Sequence, residues 1–256
     1  MPASTPASTP ARSRTTATAR PPARSSGTSS GGSSGASAGR GGVAARTWRR
    51  LAVWAHVLSS VGWMTCALAL FALLVPALRG GAPWAVEAAH HLDTQLLAPL
   101  ANTSAATGLV LSLGTAWGLA VHRWVLTKLL ITLVQLYLGI FVLSEALDTA
   151  ADTLRVSPAL VVGTAPMAGA IAVQAWLSVA KPGGRTRWGT RGGRSVTLPT
   201  APPWVFALVV AAPVVDVTLG LLLGFPSPLC SLAAVVVAAV VRHRALRRAR
   251  RGSAPA

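Results

Sequence analysis

The chain has 256 residues, of which 52% are hydrophobic and 11% are charged, and its formal net charge is +17. Soluble domains carry about 25% charged residues, so this composition excludes an ordinary soluble globular protein and indicates an integral membrane protein. The 23 Lys and Arg residues lie almost wholly outside the apolar stretches, and no folded nucleic-acid-binding motif accompanies them. We therefore expect a lipid bilayer, and not nucleic acid, as the main partner.

The first 46 residues consist almost entirely of Ala, Ser, Thr, Pro, Gly and Arg, without an acid or an aromatic residue. Such a segment buries too little apolar surface to offset the entropy lost on ordering. We predict a disordered, low-complexity, cytoplasmic tail at residues 1–46.

Apolar stretches follow that are long enough, at about 1.5 Å per residue, to cross a hydrocarbon core of about 30 Å. Four lie at residues 51–78, 95–121, 124–144 and 158–180. A fifth, at 204–241, is too long for one crossing and is broken by Pro226 and Pro228, so we predict a hairpin of two spans. The arm at 228–241 is short, and whether it crosses the membrane or is re-entrant stays open.

These stretches predict an all-α fold, a polytopic transmembrane helical bundle with a four-helix core and a C-terminal helical hairpin. The predicted divisions beyond the tail are a four-helix transmembrane core at 47–182, a basic cytoplasmic loop at 183–203, the transmembrane hairpin at 204–241 and a basic cytoplasmic tail at 242–256.

The orientation follows from the distribution of Lys and Arg, which accumulate on the cytoplasmic side of membrane proteins. With six spans, 21 of these residues fall on one side and only Arg79 and Arg155 on the other. We expect a multi-pass plasma-membrane protein with both termini in the cytoplasm.

Six arginines follow the last apolar stretch within ten residues. Basic residues beside a membrane bind anionic lipid headgroups at roughly 1 kcal/mol per charge. The predicted lipid-binding residues are Arg242, Arg244, Arg247, Arg248, Arg250 and Arg251.

A polar stripe crosses the third predicted span, where Lys128, Thr132, Gln135 and Gly139 share one helical face. Polar groups in a span point into the bundle or a wet cavity, because exposure to lipid is costly. Other polar residues at similar depth lie on the first and fourth predicted spans. We predict that His56, Lys128, Gln135 and Gln174 converge in the cytoplasmic half of the bundle, with a functional cluster or structural hydrogen bonding as the two interpretations.

Small residues spaced by four allow helices to approach closely in lipid. We expect helix contacts at three such sets, which are Ser104, Gly108 and Ser112, then Gly114-x-x-x-Gly118, and Gly220-x-x-x-Gly224.

Asp216 is the one acid inside an apolar stretch, with Pro213 one turn before it. An acid at that depth should be protonated, paired or exposed to a water-filled path. Proton or cation coupling and a hydrogen bond between helices are the two interpretations.

His90, His91 and Asp93 precede the second predicted span, and Glu145, Asp148 and Asp152 follow the third on the same side. Imidazoles and carboxylates suit Zn or Cu. A metal site at His90, His91 and Asp93 and a solvated acidic loop are the alternatives.

Residues 50–188 resemble a family of uncharacterised four-helix integral membrane proteins from actinobacteria, through WAHVLSSVGWM, TGLVLSLGTAWGL with HRWVLTKLL, and KPGGRTRWG. More distantly, the pattern is similar to the CopD-like copper-resistance membrane proteins and the HemJ-type protoporphyrinogen oxidases. That resemblance implies that His56, Trp63 and Lys128 would hold a haem, porphyrin or copper cofactor. The sequence departs from those families in lacking a second histidine on the third span and a Met-rich or His-rich copper run.

No nucleophile elbow, phosphate-binding loop or metalloprotease motif occurs in the sequence, so no catalytic residue is identified and a non-enzymatic role is favoured. The biochemical role is left unassigned. The alternatives are a haem-, porphyrin- or metal-handling protein using His56 and Lys128, and a proton- or cation-coupled transporter using Asp216.

Overall fold

The computed structural model describes residues 34–80, 82–191, 194–195, 198–223 and 227–251, and this part of the chain is almost entirely helical. The helices are α1 (Ser34–Leu78), α2 (Pro83–Leu92), α3 (Ala98–Gly114), α4 (Arg123–Leu138), α5 (Glu145–Thr153), α6 (Pro158–Ala180), α7 (Pro203–Leu223) and α8 (Leu229–Arg251), with π-helical segments at Asp93–Leu97 and Gly139–Ser144.

Six helical stretches in the described residues are long and apolar enough to cross a membrane. Spans one to six are Val43–Leu78, Pro83–Gly114, Arg123–Thr153, Pro158–Ala180, Pro203–Leu223 and Leu229–Ala249. The predicted all-helical, multi-pass architecture is thus confirmed at the level of six candidate spans, and the predicted bounds of span four are matched.

The spans alternate in direction along the bundle. At one end, the Arg242 guanidinium donates to Leu113 O at the close of α3. Thr186 N donates to Val121 O over 2.9 Å at the same end. We call this the arginine-rich end, and the other, which carries the pair His90 and Asp148, the opposite end.

Spans two and three are longer than predicted, with 32 and 31 residues. At about 1.5 Å per residue each reaches roughly 48 Å, well beyond the hydrocarbon thickness of about 30 Å. The polar stretches predicted to be connecting segments are helical instead, as α2 and α5. These two helices pack together because Val86, Ala89, Leu147 and Ala150 form a buried apolar cluster at the opposite end.

Span two also ends earlier than predicted. The helix stops at Gly114, Thr115 is extended, and Gly118 has a φ of +61°, a conformation that side chains other than glycine rarely adopt. Gly118 therefore serves a turn and not the predicted helix contact with Gly114. In the third small-residue set, Gly224 lies outside the described residues.

The two ends of the chain contain more helix than the sequence suggested. Residues 34–46, predicted as disordered tail, begin α1, and Arg242–Arg251, predicted as a tail beyond the membrane, continue α8. Once a span has formed, adding a residue to it avoids the cost of nucleating a new helix. Residues 1–33 and 252–256 lie outside the described part.

The hairpin formed by spans five and six shares a core with spans one and two. Buried residues from all four make one apolar cluster, which is Ala52, Ala106, Val110, Leu111, Val205, Phe206, Val209, Ala212, Ala234 and Ala238. Spans one and two thus contact the hairpin on one side and spans three and four on the other. The hairpin is an integral part of the bundle.

Two loops at the arginine-rich end are tied together. Arg123 N donates to Gly184 O over 3.2 Å, and the Thr186 hydroxyl donates to Ala120 O. The loop after span four adds a two-residue antiparallel pairing of Thr190–Arg191 with Arg194–Ser195. These bonds give the predicted basic loop a defined backbone at its start.

Candidate functional site

A partly open cavity of about 330 Å³ lies between spans one, two, three and four. Most of its wall is apolar, with Trp63, Leu70, Leu97, Leu136 and Leu143 among the lining residues. Protein interiors are usually packed without voids larger than a water molecule. A cavity of this size, within the range of about 300–1,000 Å³ seen for ligand pockets, therefore marks a candidate binding site.

A buried carboxylate lies at one end of the cavity. Asp93 is 7% exposed, and its Oδ2 accepts a hydrogen bond of 3.0 Å from the Ser144 hydroxyl. Asp93 opens one π-helical segment and Ser144 closes the other, and such segments occur often at functional sites. The two segments thus join spans two and three through a carboxyl group that lines the cavity.

An amide pair lies farther along the same cavity. Gln135, which is 3% exposed, lines the cavity. Its Oε1 accepts a 2.5 Å bond from Gln174 Nε2, and its Nε2 donates to Met167 O over 2.9 Å. The predicted meeting of Gln135 and Gln174 is confirmed, and each amide is fixed by partners on the other span.

The hydrogen-bonded row continues towards the arginine-rich end. Thr132 donates to Gln174 Oε1 over 2.8 Å, and Lys128 Nζ donates to the Ser178 hydroxyl over 2.6 Å. Ser178 in turn donates to Gln174 O over 2.9 Å. The polar face predicted for span three therefore faces span four, as expected of groups that avoid lipid.

His56 does not join this row through a hydrogen bond in the described residues. Its Nδ1 lies 3.0 Å from Ser104 O and 3.2 Å from the Thr107 hydroxyl, both on span two. Because a carbonyl can only accept, Nδ1 carries the proton. The ring lies against Gly108, where an added Cβ would come within 2.9 Å of His56 Cε1. His56 thus stabilises the contact of spans one and two. Of the four residues predicted to converge, Gln135 and Gln174 bond to each other, and Lys128 joins their row through Ser178.

The small-residue face of span two is at a helix contact, as predicted. Ser104 and Ser60 hydroxyls lie 2.6 Å apart, and Gly108 accommodates His56. Trp63 shares the face of His56 and is 5% exposed, but it lies at the cavity wall. The three residues that the resemblance grouped as cofactor ligands therefore belong to different contacts.

Asp216 receives both of its hydrogen bonds from the start of α8. Cys230 N donates to Oδ1 and Ser231 N donates to Oδ2, each over 2.8 Å. The first N–H groups of a helix lack partners within it and carry partial positive charge. The geometry matches the helix-to-helix interpretation, with a carboxylate of span five capping span six.

A smaller cavity, of about 150 Å³, lies between span two and the hairpin. Its lining includes Thr94, Gln95, Asn102, Asp216 and Ser231, and it shares Asn102 and Pro228 with the larger cavity. The polar lining suits water. A cation is disfavoured there because the α8 N-terminus already presents positive charge.

The residues predicted to hold a metal take separate partners. His90 Nε2 lies 3.1 Å from Asp148 Oδ1, whereas Asp93 bonds to Ser144. Within the described ranges, no three His, Cys, Asp or Glu side chains group as a metal site would require.

The arginines of α8 differ in their exposure and in their contacts. Arg242 is half-buried and donates to carbonyls at the end of α3, where the helix dipole is negative. Arg244, Arg247, Arg248 and Arg251 are exposed, which leaves them accessible to headgroups. Nothing is described of the Arg250 side chain.

Ser144, Asn102 and Ser178 were not predicted from the sequence. Ser178 lies four residues after Gln174, so helical spacing alone could have found it. Ser144 could not be found in this way, because nine residues of ideal α-helix place it about 180° from Gln135. The π-helical segment between them alters that angle and lets both line the cavity.

Comparison of the chain with protein-family models, with curated proteins and with solved structures found no match. The function of the cavity therefore has to be inferred from its own geometry.

Proposed function

We propose that this membrane protein binds a small, largely apolar molecule in the cavity between spans one to four. The observation that carries the proposal is the cavity itself, about 330 Å³ of unfilled space with one buried carboxylate in its wall. The apolar wall of this partly open space lacks the packing contacts that a bound apolar molecule would supply.

Two glycines make a matched test of this proposal. A Cβ at Gly139 or at Gly169 would meet nothing within 4 Å, so both positions have room for a side chain. Gly139 lines the cavity, whereas Gly169 is exposed on span four and does not. We expect Gly139→Phe to fill the cavity and lower the affinity for a neutral naphthalene fluorophore by at least about tenfold. Gly169→Phe should leave the affinity unchanged.

The measurement is fluorescence titration of purified protein in lipid nanodiscs, with thermal unfolding as a check that both variants fold. Binding to the wild-type protein that Gly139→Phe abolishes supports the proposal. A wild-type protein that binds no apolar probe, or equal binding by the two variants, would overturn it.

The haem, porphyrin and copper alternative is supported by the sequence resemblance. His56 and Lys128 line neither of the two cavities described above. The alternative of ion coupling through Asp216 has weaker support, because both carboxylate oxygens bind the start of α8. We therefore favour the binding of an apolar molecule in the cavity over cofactor binding and over ion coupling.

We further propose that the arginine-rich end faces the cytoplasm of a plasma membrane and binds anionic lipid headgroups. Charge segregation supports this, because none of the six Asp and Glu residues lies at that end. Anionic headgroups would complement the positive charge of the exposed arginines there. Two tryptophans belong to the same surface, with Lys181 Nζ lying 5.8 Å from the ring centroid of Trp117 and Arg187 stacked on Trp188, as is typical of the membrane interface.

Two pairs of exposed arginines test the lipid proposal. We expect Arg247→Gln with Arg248→Gln to reduce the salt-sensitive enrichment of anionic lipid around the protein, at roughly 1 kcal/mol per charge removed. The control pair, Arg79→Gln with Arg155→Gln at the opposite end, should have little effect. Energy transfer from tryptophan to a labelled anionic lipid measures the enrichment. An equal loss in both pairs would contradict a headgroup surface at the arginine-rich end.

A further inference from the structure

We infer that the ligand of the large cavity is a single-chain amphiphile whose protonated amine binds Asp93 and whose alkyl chain extends towards Gln135. This inference rests on the proposed function and adds the chemical class of the ligand. It follows from the charge at one end of the cavity, the length of its apolar wall and the depth of both in the bundle.

The charge at the Asp93 end is not balanced within the described residues. The hydrogen bond to Asp93 comes from the neutral hydroxyl of Ser144. His90 and Asp148, which lie at the same end of the bundle, contact each other, and no described Lys or Arg forms an ion pair with Asp93. A buried carboxyl group without a cation is costly when ionised, and a ligand ammonium would stabilise the ionised form because it supplies both a positive charge and hydrogen-bond donors.

The apolar wall has the length of one leaflet. Ser144 and Gln135 are nine residues apart on span three, or about 13 Å at helical rise, close to half of a hydrocarbon core of about 30 Å. Trp63, Leu136 and Leu143 line this distance. A single alkyl chain matches both this length and a volume near the lower limit for ligand pockets.

The depth of the cavity matches an amphiphile standing in one leaflet. Asp93 lies 21 residues before the end of span two at Gly114, which puts it about 31 Å from the arginine-rich end, at the level of the opposite interface. Gln135 lies about 18 Å from the arginine-rich end of span three, near the bilayer midplane. A headgroup at Asp93 and a tail pointing to Gln135 therefore keep the orientation of a lipid in that leaflet.

Other headgroups fit less well. A fatty acid would place a second carboxylate beside Asp93, which like-charge repulsion opposes. An alcohol could donate one hydrogen bond but would leave the carboxylate without a cation. A ligand ammonium can replace the Ser144 hydroxyl as the donor to Asp93, because a charged donor forms a stronger hydrogen bond with a carboxylate than a neutral hydroxyl does. The far end of the chain needs no polar group, because the Gln135 carbonyl and one of its N–H groups are already bonded to span four.

The experiment compares octylamine, octanol and octanoic acid as competitors of the naphthalene fluorophore, in nanodiscs at neutral pH. For the wild-type protein we expect octylamine to compete at least about tenfold better than octanol, with octanoic acid weakest. Asp93→Asn keeps the shape of the side chain and an acceptor for Ser144, and should remove the preference for the amine. Asp148→Asn, an exposed acid close to the same end, should keep it.

The outcomes separate this inference from the proposed function. If the fluorophore binds but octanol competes as well as octylamine, the amine is wrong and the cavity remains a binding site. If Asp93→Asn retains the preference, Asp93 is not the headgroup site. If no fluorophore binds to the wild-type protein, the proposed function itself is wrong. If Asp93→Asn does not fold, the comparison of octylamine, octanol and octanoic acid on the wild-type protein still shows whether the cavity prefers an amine.

Discussion

Replacing Asp216 with Ala is expected to destabilise the protein by about 2–5 kcal/mol, the largest effect of any single substitution considered for this chain. Asp216 is 8% exposed and accepts from Cys230 N and Ser231 N. Its loss leaves two N–H groups at the start of α8 without the carboxylate, and water in the adjoining small cavity is a weaker acceptor than the charged group it replaces.

Unfolding in mild detergent, followed by tryptophan fluorescence, measures this effect. Asp216→Asn keeps one acceptor oxygen and should lie between the wild-type protein and Asp216→Ala. Asp148→Ala removes an exposed acid and should change stability little. If Asp216→Ala unfolds at the wild-type temperature, the carboxylate does not cap α8, and an ion-coupling role for Asp216 regains support.

Replacing Gln135 and Gln174 with Leu, singly and together, is expected to give strongly non-additive losses. Each single substitution leaves the partner amide unsatisfied in a buried site and should cost about 1–2 kcal/mol. The double variant removes both amides and should cost about as much as one single variant, so that the coupling energy is about 1 kcal/mol. Thr132 and Met167 O also lose partners in these variants, which prevents a complete recovery.

The free energy of unfolding of the four proteins in this cycle supplies the test. Tyr137→Leu is a control on the same helix, because Tyr137 is 62% exposed towards lipid. Additive losses for Gln135→Leu and Gln174→Leu would mean that the two amides act independently and do not couple spans three and four to each other.

Hydropathy and charge predicted the parts of the fold that depend on the bilayer as a solvent. A chain in lipid must satisfy its backbone within helices, so apolar length alone locates spans, and Pro158–Ala180 was predicted to the residue. The polar face of span three was predictable for the same reason, because Thr132 and Gln135 avoid lipid only by pointing into the bundle, where Gln174 of span four meets them.

The remainder depended on contacts that no local pattern encodes. The end of span two was predicted wrongly from hydropathy. Gly118 lies in an apolar stretch of the sequence, but in the structure it lies in a turn with positive φ, after the helix has ended at Gly114. To predict that Asp216 caps α8, one would have to know how far along the bundle each of the two helices lies. To predict that Ser144 and Gln135 line the same cavity, one would have to know that a π-helical segment lies between them. The cavity is the space left between the side chains of four packed spans, and no pattern in the sequence predicts it.

Native mass spectrometry of the protein released from its membrane in mild detergent tests the cavity most directly. The account predicts that wild-type protein and Gly169→Phe carry a bound small molecule that collisional activation removes, and that Gly139→Phe carries none. A wild-type protein that is released without any bound small molecule, or a Gly139→Phe variant that retains the same one, would contradict it.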